Sequence, residues 1–422
     1  MALSVIRSKR SLVKPAEHTP CGTLDLSTID RIPVLRCNAR TLHVFRHGPE
    51  AAQVISGALS RALVPYYPLA GRLKESRQGQ LQIECSGEGA WFVEASANCS
   101  LDSIDYFNDV TSIPYDELLP DCVPKTTKGM EPLVQVQVTR FACGGFVIGL
   151  TFCHSICDGL GAAQFLNAVG ELARDLEHPS IAPVWNRDFF PPPPQLENVQ
   201  ELPKFPPPMP SYRLEQANID ISMDQIKQLK RKFHDSTGLT CSAFEIVAAS
   251  FWSHRTEAIN FEPNTEVKLV FFANCRQLLD APLPKGFYGN CFFPVTITTT
   301  SDWLTQATNV DVVKLIQEAK AKLPIEFANY TNGDYMRKGD DPFAPPLTYT
   351  TLFISEWGRL GFNQIDYGWG PPVHVVPIQG SSIIPAGIVG SLPLPKIGIR
   401  LMTWSVEDAH LRTFLHLMTK PI

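Results

Sequence analysis

The chain has 422 residues, of which 44% are apolar and 19% are charged, and its formal net charge is −5. This composition is typical of a folded protein with a large core and excludes an intrinsically disordered chain. The slight acidic balance offers no basic surface for a nucleic acid backbone or an anionic membrane. We therefore expect small molecules to be the partners of this protein, with no nucleic acid and no obligate protein partner.

The predicted location rests on signals that the sequence lacks. The stretch MALSVIRSKRSLVKP is basic, but it has neither the apolar core nor the cleavage site of a secretory signal. No stretch approaches about eighteen consecutive apolar residues, so we expect no membrane-spanning segment. The 11 cysteines are scattered without regular spacing, which is typical of free thiols in a reducing compartment. The sequence predicts a cytoplasmic protein.

The first half of the chain alternates helix and strand patterns. Apolar residues at helical spacing predict a helix that ends near Leu63. The stretch LQIECSGEGAWFVEAS alternates like a hairpin that turns at Gly87 to Gly89. The stretch LVQVQVTRFACGGFVIGLTF predicts a second hairpin, which turns at CGG and leads to His154. The next segment predicts an amphipathic helix, whose apolar face consists of Ala162, Leu166, Val169, Leu172, Ala173 and Leu176.

The second half follows a proline-rich connector. The stretch FPPPPQLENVQELPKFPPPMPSY contains 9 prolines and predicts an extended linker, because proline sustains neither a helix nor a central strand. Helix patterns follow in MDQIKQLKRKF, CSAFEIVAASFWSHRTEAI and EDAHLRTFLHLM, and strand patterns in VKLVFFANCR, FYGNCFFPVTITTT, LTYTTLFISEW, VHVVPI and IGIRLMTWS. We predict an α/β protein with a first domain at 1–190, a linker at 191–212 and a second domain at 213–422.

The stretch GFVIGLTFCHSICDGLGAAQFLNAVGELARDL carries the most informative motif. A pattern typical of a buried strand ends at His154, and two glycines then lead into the predicted helix. A histidine at this place either has its hydrogen bonds satisfied within the fold or acts as a base in a cavity. Asp158 either caps the helix or forms an ion pair. Gly159 and Gly161 would allow a substrate or another segment of backbone to approach closely.

Several other kinds of site are excluded. Gln164 stands where a dinucleotide-binding fingerprint requires a small residue, and the sequence has no Walker loop and no G-x-S-x-G elbow. Cys153, His154, Cys157 and Asp158 crowd on one turn and could be metal ligands. Structural zinc, however, prefers paired C-x-x-C ligands, and no second pair with suitable spacing occurs. We expect no metal site and interpret both cysteines as small core residues.

Two motifs at a wide separation resemble those of a known family. H-x-x-x-D-G at 154–159 and DYGWG at 366–370 together resemble the plant BAHD acyl-CoA-dependent acyltransferases. The similarity extends over nearly the whole chain, through the blocks YYPLAGRL, CSGEGAWFVEA, PLPKGFYGN and SEWGRLGF. Within the family, the sequence most resembles the alcohol acyltransferases that make volatile or benzoate esters, such as benzyl alcohol benzoyltransferases, and the taxane O-acyltransferases.

The resemblance implies a two-domain α/β fold similar to chloramphenicol acetyltransferase, with a channel at the domain interface. Acyl-CoA would enter from one face as a co-substrate, with no bound cofactor, and the acceptor alcohol would enter from the other. The resemblance implies that His154 is the general base at the middle of the channel. It also implies that Asp158 points away from the channel and pairs with Arg276, whose planar guanidinium suits a carboxylate, to hold the histidine turn in shape. Gly159 completes that turn.

The resemblance extends to three further positions. Trp357 matches a tryptophan whose indole N–H would stabilise the oxyanion, although an ordinary half-buried aromatic residue would fit the same pattern. Ser242 matches a position near the pantetheine arm of CoA, and it would also serve as a helix N-cap. DYGWG is a structural block in the family, and Tyr367 stands here where the family usually has Phe, a conservative change.

The sequence therefore predicts an acyl-CoA-dependent O-acyltransferase, and its surface charge balance gives no reason to expect anything larger than a monomer. It would transfer an acetyl, benzoyl or similar group to a hydroxyl of a plant specialised metabolite, such as benzyl alcohol, a volatile alcohol or a terpenoid. An N-acyltransferase acting on a polyamine or aryl amine is the alternative, because the same base would serve an amine. A non-catalytic small-molecule-binding protein on the same fold is a third interpretation, against which the intact His154, Asp158, Arg276 and Trp357 argue.

Overall fold

The computed structural model describes residues 3–77, 79–122, 131–189, 212–335, 341–378 and 383–420. The predicted linker at 191–212 lies outside the described residues except for Tyr212. In the described ranges the strands are β1 (Val5–Val13), β2 (Thr23–Asp25), β3 (Asn38–Phe45), β4 (Arg72–Glu75), β5 (Leu81–Glu84), β6 (Ala90–Ala97), β7 (Val134–Arg140), β8 (Phe146–Cys153), β9 (Glu215–Ser222), β10 (Glu266–Asn274), β11 (Phe292–Thr300), β12 (Thr351–Glu356), β13 (His374–Pro377), β14 (Ala386–Ser391) and β15 (Gly398–Val406).

Local capping signals explain where several helices begin. The helices of the described ranges are α1 (Ala51–Ala62), α2 (Tyr115–Leu118), α3 (Gly159–Ala173), α4 (Met223–Thr237), α5 (Ala243–Ile259), α6 (Ser301–Gln306), α7 (Asn309–Thr331) and α8 (Asp408–Thr419). Ser222 and Ser242 each form a capping box at the start of α4 and α5, and Gly238 ends α4 in the left-handed conformation. None of these described helices combines the length and the apolar character needed to cross a bilayer.

Two six-stranded sheets and one three-stranded sheet organise the described chain. The first sheet has the order β1-β6-β7-β8-β3-β13, and the second has the order β11-β10-β12-β14-β15-β9. Both are mixed sheets, since β6 pairs parallel with β7 and β10 pairs parallel with β12, whereas most other pairs are antiparallel. The predicted hairpin of β7 and β8 is confirmed, with Val134 opposite Phe152.

The predicted hairpin at Gly87 to Gly89 is wrong. β5 pairs with β2 and β4 in the small sheet, whereas β6 pairs with β1 and β7 in the first sheet. Gly89 has φ +99°, and a Cβ there would lie 2.2 Å from the carbonyl oxygen of Val13. The glycine therefore lets the chain pass tightly against β1 and enter another sheet, instead of folding back on β5.

Helices cover each large sheet and form two main cores. In the first core, Ile55 of α1 and Phe165 of α3 are buried together with Val136 of the first sheet. In the second core, Trp252 of α5 is buried with Val313 of α7 and with residues of the second sheet. Each fully buried side chain of this size stabilises the fold by about 1.5–3 kcal/mol. The histidine turn leaves the first of these cores at the end of β8.

The second half of the chain returns to the first sheet. β13 pairs antiparallel with β3, and Phe362 and Tyr367 belong to the first hydrophobic core. Asp366 holds its own loop by accepting hydrogen bonds from the N–H groups of Gly368 and Gly370, at 2.8 and 2.9 Å. The division at 1–190 and 213–422 stays a prediction, to which the structure adds that β13 crosses between the two halves.

Candidate active site

A cavity of about 390 Å³ receives side chains from both large sheets. Thr41 and Phe152 line it from the first sheet, and Phe272 and Glu356 line it from the second. Its walls are mainly apolar, with a few polar groups among them, which is typical of a site for a small molecule. Five residues selected from the sequence line this cavity together: His154, Asp158, Gly159, Arg276 and Trp357.

His154 directly follows β8 and is half-buried. Its backbone N–H donates to the carbonyl of Cys37 at 2.9 Å, and its own carbonyl accepts from the side-chain amide of Asn290 at 2.8 Å. The ring packs edge to face with Phe292, with 6.5 Å between the ring centroids. Among the described residues its Nδ1 is buried without a hydrogen-bond partner, so Nε2 is the nitrogen open to the cavity.

Asp158 both caps a helix and forms an ion pair, the two roles that its sequence position allowed. Its Oδ1 accepts from the N–H of Gly161 at 3.0 Å and caps α3. Arg276 also donates to both oxygens of this carboxylate, each at 2.8 Å, and the N–H of Cys291 donates at 3.2 Å. Both side chains are only 12% exposed. This bidentate, largely buried pair ties the histidine turn to the second half of the chain.

The two glycines after Asp158 lie against segments of the second half. A Cβ on Gly161 would lie 1.9 Å from the carbonyl oxygen of Tyr288, so a second backbone does approach closely at this position. A Cβ on Gly159 would lie 2.6 Å from a methyl carbon of Leu360. Glycine is thus required at position 161, where the neighbour is backbone, whereas a side chain at position 159 would need only Leu360 to shift.

A buried polar network, which no sequence motif indicated, lies behind the histidine turn. The carboxylate of Asp30 accepts from the backbone N–H of Asn290 at 3.2 Å and from its side-chain amide at 2.7 Å. The same carboxylate lies 3.4 Å from Nε of Arg187 and accepts from the N–H of Ser27 at 3.1 Å. Asp30 and Asn290 are both 0% exposed. A buried carboxylate needs such partners, because its charge is costly to remove from water.

This network holds the turn on both sides of Ser155. Asn290 binds the carbonyl of His154, and Nη2 of Arg187 donates to the carbonyl of Ile156 at 2.8 Å. Ser155 itself donates to the carbonyl of Leu35 at 2.9 Å. Asn290 lies in the PLPKGFYGN block, so the family resemblance marked its position without giving it a role.

Gly289 is expected to be essential for this network. A Cβ there would lie 1.0 Å from Nη1 of Arg187, whose side chain is only 1% exposed, so the guanidinium would have to shift away from its partners. We expect Gly289→Ala to lower the free energy of unfolding by about 1–3 kcal/mol through overpacking, as measured by urea denaturation. Gly57→Ala is the matched control, because a Cβ at this exposed position of α1 meets nothing within 4 Å. Gly57→Ala should stabilise the helix by up to about 1 kcal/mol, and equal losses in both variants would contradict the packing argument.

Trp357 follows β12 at the wall of the cavity. Its backbone N–H donates to the carbonyl of Val389 at 2.8 Å, and its ring lies 5.5 Å from that of Phe362 between centroids. The side chain is half-buried, and the described residues give its indole N–H no hydrogen bond. The geometry therefore allows the indole to serve a substrate atom in the cavity that it shares with His154.

Ser242 lies away from this cavity, at the start of α5. Its hydroxyl accepts from the N–H of Glu245 at 3.2 Å, and the Glu245 carboxylate accepts from the N–H of Ser242 at 2.8 Å. Burial alone would raise the pKa of Glu245, but Lys320, the Ser242 N–H and Gln317 together hold that pKa below its usual range. The N-cap interpretation is confirmed, and a role of Ser242 toward CoA stays a prediction.

The Cys157 thiol of the cavity is held in an unreactive form. Burial raises the pKa of the Cys157 thiol well above its usual range. Thiols in this state are poor nucleophiles at neutral pH. His43 does not line the cavity but contacts its wall residue Thr41 at 2.9 Å, and burial lowers the pKa of His43 to about 3, so that ring stays neutral. In the part of the chain that the structure describes, no group of three His, Cys, Asp or Glu residues could hold a metal ion.

A second cleft adjoins the cavity. It has a volume of about 380 Å³ and shares Leu160, Arg276 and Leu360 with the cavity. It lies along α3, where Gln164 and Asn167 line it, and Lys285 contributes a positive charge. The two spaces therefore share the part of their walls that Leu160, Arg276 and Leu360 form.

Comparison with known proteins identifies relatives along the whole chain. The family model described as "Transferase family" matches residues 3–385. Acyl transferase 4 of Oryza sativa subsp. japonica is 43% identical, over 98% of this chain and 98% of the relative. A myricetin 3-O-glucosyl 1,2-rhamnoside 6'-O-caffeoyltransferase of Crocosmia x crocosmiiflora is 35% identical over 98% of both chains. The 3'-N-debenzoyl-2'-deoxytaxol N-benzoyltransferase of Taxus canadensis is 36% identical, over 87% of this chain and 84% of the relative.

Solved structures match the same architecture at low sequence identity. Vinorine synthase has a TM-score of 0.75 and 19% identity, covering 97% of this chain and 96% of that chain. F. sporotrichioides TRI101, solved with coenzyme A and T-2, has a TM-score of 0.74 and 13% identity, covering 93% of this chain and 97% of that chain. These matches confirm the predicted two-domain mixed α/β fold.

Proposed function

This chain belongs to the Transferase family, the plant BAHD acyltransferases, and from that premise we propose that it transfers an acyl group from CoA to a hydroxyl of a small-molecule acceptor. The observation that carries the proposal is the position of His154, half-buried in a mainly apolar cavity and held by a buried ion pair and a buried polar network. A rigid base in such a cavity is suited to deprotonate a bound alcohol.

The reaction would proceed in one ternary complex. Nε2 of His154 takes the proton of the acceptor hydroxyl while its oxygen attacks the thioester carbonyl, because a neutral alcohol is a poor nucleophile. The C–O bond forms as the carbonyl electrons move to oxygen, and the indole N–H of Trp357 donates to that oxyanion. The carbonyl then re-forms, the C–S bond breaks, and the CoA thiolate takes the proton from His154. No acyl-enzyme is needed, in keeping with the raised pKa of the Cys157 thiol.

The two adjoining spaces support separate routes for the two substrates. We assign the cavity to the reacting groups and one route, and the cleft along α3 to the other. Coenzyme A is bound in the F. sporotrichioides TRI101 structure, which supports acyl-CoA as the donor here. The 11 cysteines are all free, which supports a cytoplasmic enzyme.

A screen of purified protein tests the proposal. Acetyl-CoA and benzoyl-CoA are each incubated with benzyl alcohol, short and medium aliphatic alcohols, a polyhydroxylated terpenoid and a polyamine, and products are identified by mass. Ester formation with release of free CoA thiol supports the proposal. Amide formation alone would favour the N-acyltransferase, and the name of the Taxus canadensis relative makes this the relevant rival. Binding of acyl-CoA without transfer to any acceptor would favour the non-catalytic interpretation.

Replacement of Trp357 tests the oxyanion assignment. Trp357→Phe keeps an aromatic ring beside Phe362 but removes the indole N–H. We expect kcat to fall by about 10²- to 10³-fold with little change in KM, because the lost bond would exist mainly in the transition state. Steady-state kinetics with the best pair from the screen measure this split. A rise in KM with unchanged kcat would instead assign Trp357 to ground-state binding.

A further inference from the structure

The cavity lining contains two carboxylates in contrasting settings. Asp158 is fully engaged by Arg276, Gly161 and Cys291. Glu356 accepts one hydrogen bond, from the N–H of Gly358 to Oε1 at 2.9 Å. In the described part of the chain, no Lys, Arg or His nitrogen lies within ion-pair distance of Glu356. Among the described residues, Glu356 is therefore a carboxylate with no direct ion-pair partner, in a cavity whose walls are mainly apolar.

A half-buried carboxylate that has no direct ion-pair partner is costly at this place. Glu356 is half-buried at the end of β12, directly before Trp357. Burial raises the pKa of Glu356, while the Gly358 N–H and the charge of Arg359 act in the opposite direction. A carboxylate has about four lone-pair sites, and the described residues use one of them. The remaining capacity is available to a molecule in the cavity.

We propose that Glu356 binds a hydroxyl group of a substrate, distinct from the hydroxyl that is acylated. The inference rests on the proposed function, since that function supplies both the acceptor and the acyl donor. A hydroxyl donates to a carboxylate in a charge-assisted hydrogen bond, which is stronger than a bond between neutral groups. The hydroxyl can belong to the acceptor or to the acyl group, because both reach the cavity that contains His154.

The surroundings favour a neutral hydroxyl over an ammonium group. Arg359 already contributes positive charge near Glu356, and it would repel a second cation at the same carboxylate. The mainly apolar walls would also penalise the transfer of an ammonium group from water. A hydroxyaryl or polyhydroxylated substrate satisfies both conditions. We therefore expect hydroxylated substrates to be preferred over their unsubstituted analogues by on the order of ten- to a hundredfold in kcat/KM.

Matched substrate pairs test the proposal on the full-length protein. In the acceptor arm, benzyl alcohol is compared with 3- and 4-hydroxybenzyl alcohol, with acetyl-CoA as donor. In the donor arm, benzoyl-CoA is compared with 3- and 4-hydroxybenzoyl-CoA, with benzyl alcohol as acceptor. The measured quantity in each arm is kcat/KM for the hydroxylated substrate divided by kcat/KM for its unsubstituted analogue. A variant that is less active toward both substrates alike leaves this ratio unchanged. The arm that shows the preference identifies which substrate carries the hydroxyl.

The variants assign any preference to Glu356. We expect the ratio to fall close to one in Glu356→Leu and to an intermediate value in Glu356→Gln, which is nearly isosteric and still accepts a hydrogen bond. Glu318→Gln, at an exposed position of α7, is the matched control and should keep the wild-type ratio.

A wild-type ratio near one in both arms, or an unchanged ratio in both Glu356 variants, would overturn the inference while ester formation still supported the proposed function. Stronger turnover of 4-(aminomethyl)benzyl alcohol would also overturn it, in favour of an ammonium site. No ester from any pair would overturn the proposed function itself.

Discussion

Replacement of His154 by glutamine is expected to lower kcat/KM for acyl transfer by about 10²- to 10⁴-fold. Glutamine keeps a polar side chain of similar reach but cannot accept the proton of the acceptor hydroxyl. The backbone of the turn should remain in place, because Asn290 and Cys37 bind the main chain of residue 154 and not its ring. The loss should therefore appear without a matching loss of stability.

Two measurements separate this expectation from a general effect of histidine removal. His178→Gln removes a histidine whose side chain is 83% exposed and should leave the kinetics unchanged. Urea denaturation should give similar midpoints for wild type and His154→Gln. Substantial acyl transfer by His154→Gln would refute the assignment of the base.

Replacement of Arg276 by methionine is expected to lower the free energy of unfolding by about 3–5 kcal/mol. The change leaves Asp158 largely buried without its counter-ion, and it also removes the hydrogen bond of 2.7 Å that Arg276 donates to the carbonyl of Gly289. Urea denaturation measures the loss. Because His154 lies on the turn that the Asp158–Arg276 pair holds in place, loss of the pair should also displace the base and lower kcat.

A second variant keeps this test informative if Arg276→Met fails to fold. In Asp158→Asn with Arg276→Met, the buried charge is absent and asparagine can still cap α3. We expect this double variant to be more stable than Arg276→Met alone. Lys9→Met is the control for an exposed ion pair, since Lys9 and Glu94 are 66% and 30% exposed, and it should cost no more than about 1 kcal/mol. Equal stability of Arg276→Met and Lys9→Met would show that the pair is not a major structural element.

The parts of the site that could be predicted are those marked by a local sequence pattern or by a family motif. The strand, turn and helix around His154 follow from apolar periodicity and two glycines, and the pairing of Asp158 with Arg276 came from the family resemblance. The network of Asp30, Arg187 and Asn290 had no comparable signal. Asp30 and Asn290 are 260 positions apart, and neither lies in a pattern that names its partner.

Errors in the fold prediction have the same origin. The alternating pattern at 81–96 correctly marks two strands, but it does not state which strands they pair with. The close approach of Gly89 to Val13 decides that, and it depends on β1 being in place. The stretch VHVVPI likewise predicts a strand, while its membership of the first sheet depends on β3. Pairing partners are set by tertiary packing rather than by local pattern.

The return of β13 to the first sheet constrains how this protein can be recombined with its relatives. A chimera joined at the proline-rich stretch would take an edge strand of the first sheet from one parent and the five strands beside it from the other. It would also divide the contacts of Asn290 and Arg276 with the histidine turn between two parents. Exchange of substrate preference is therefore better attempted by grafting single side chains of the cavity wall than by swapping halves of the chain.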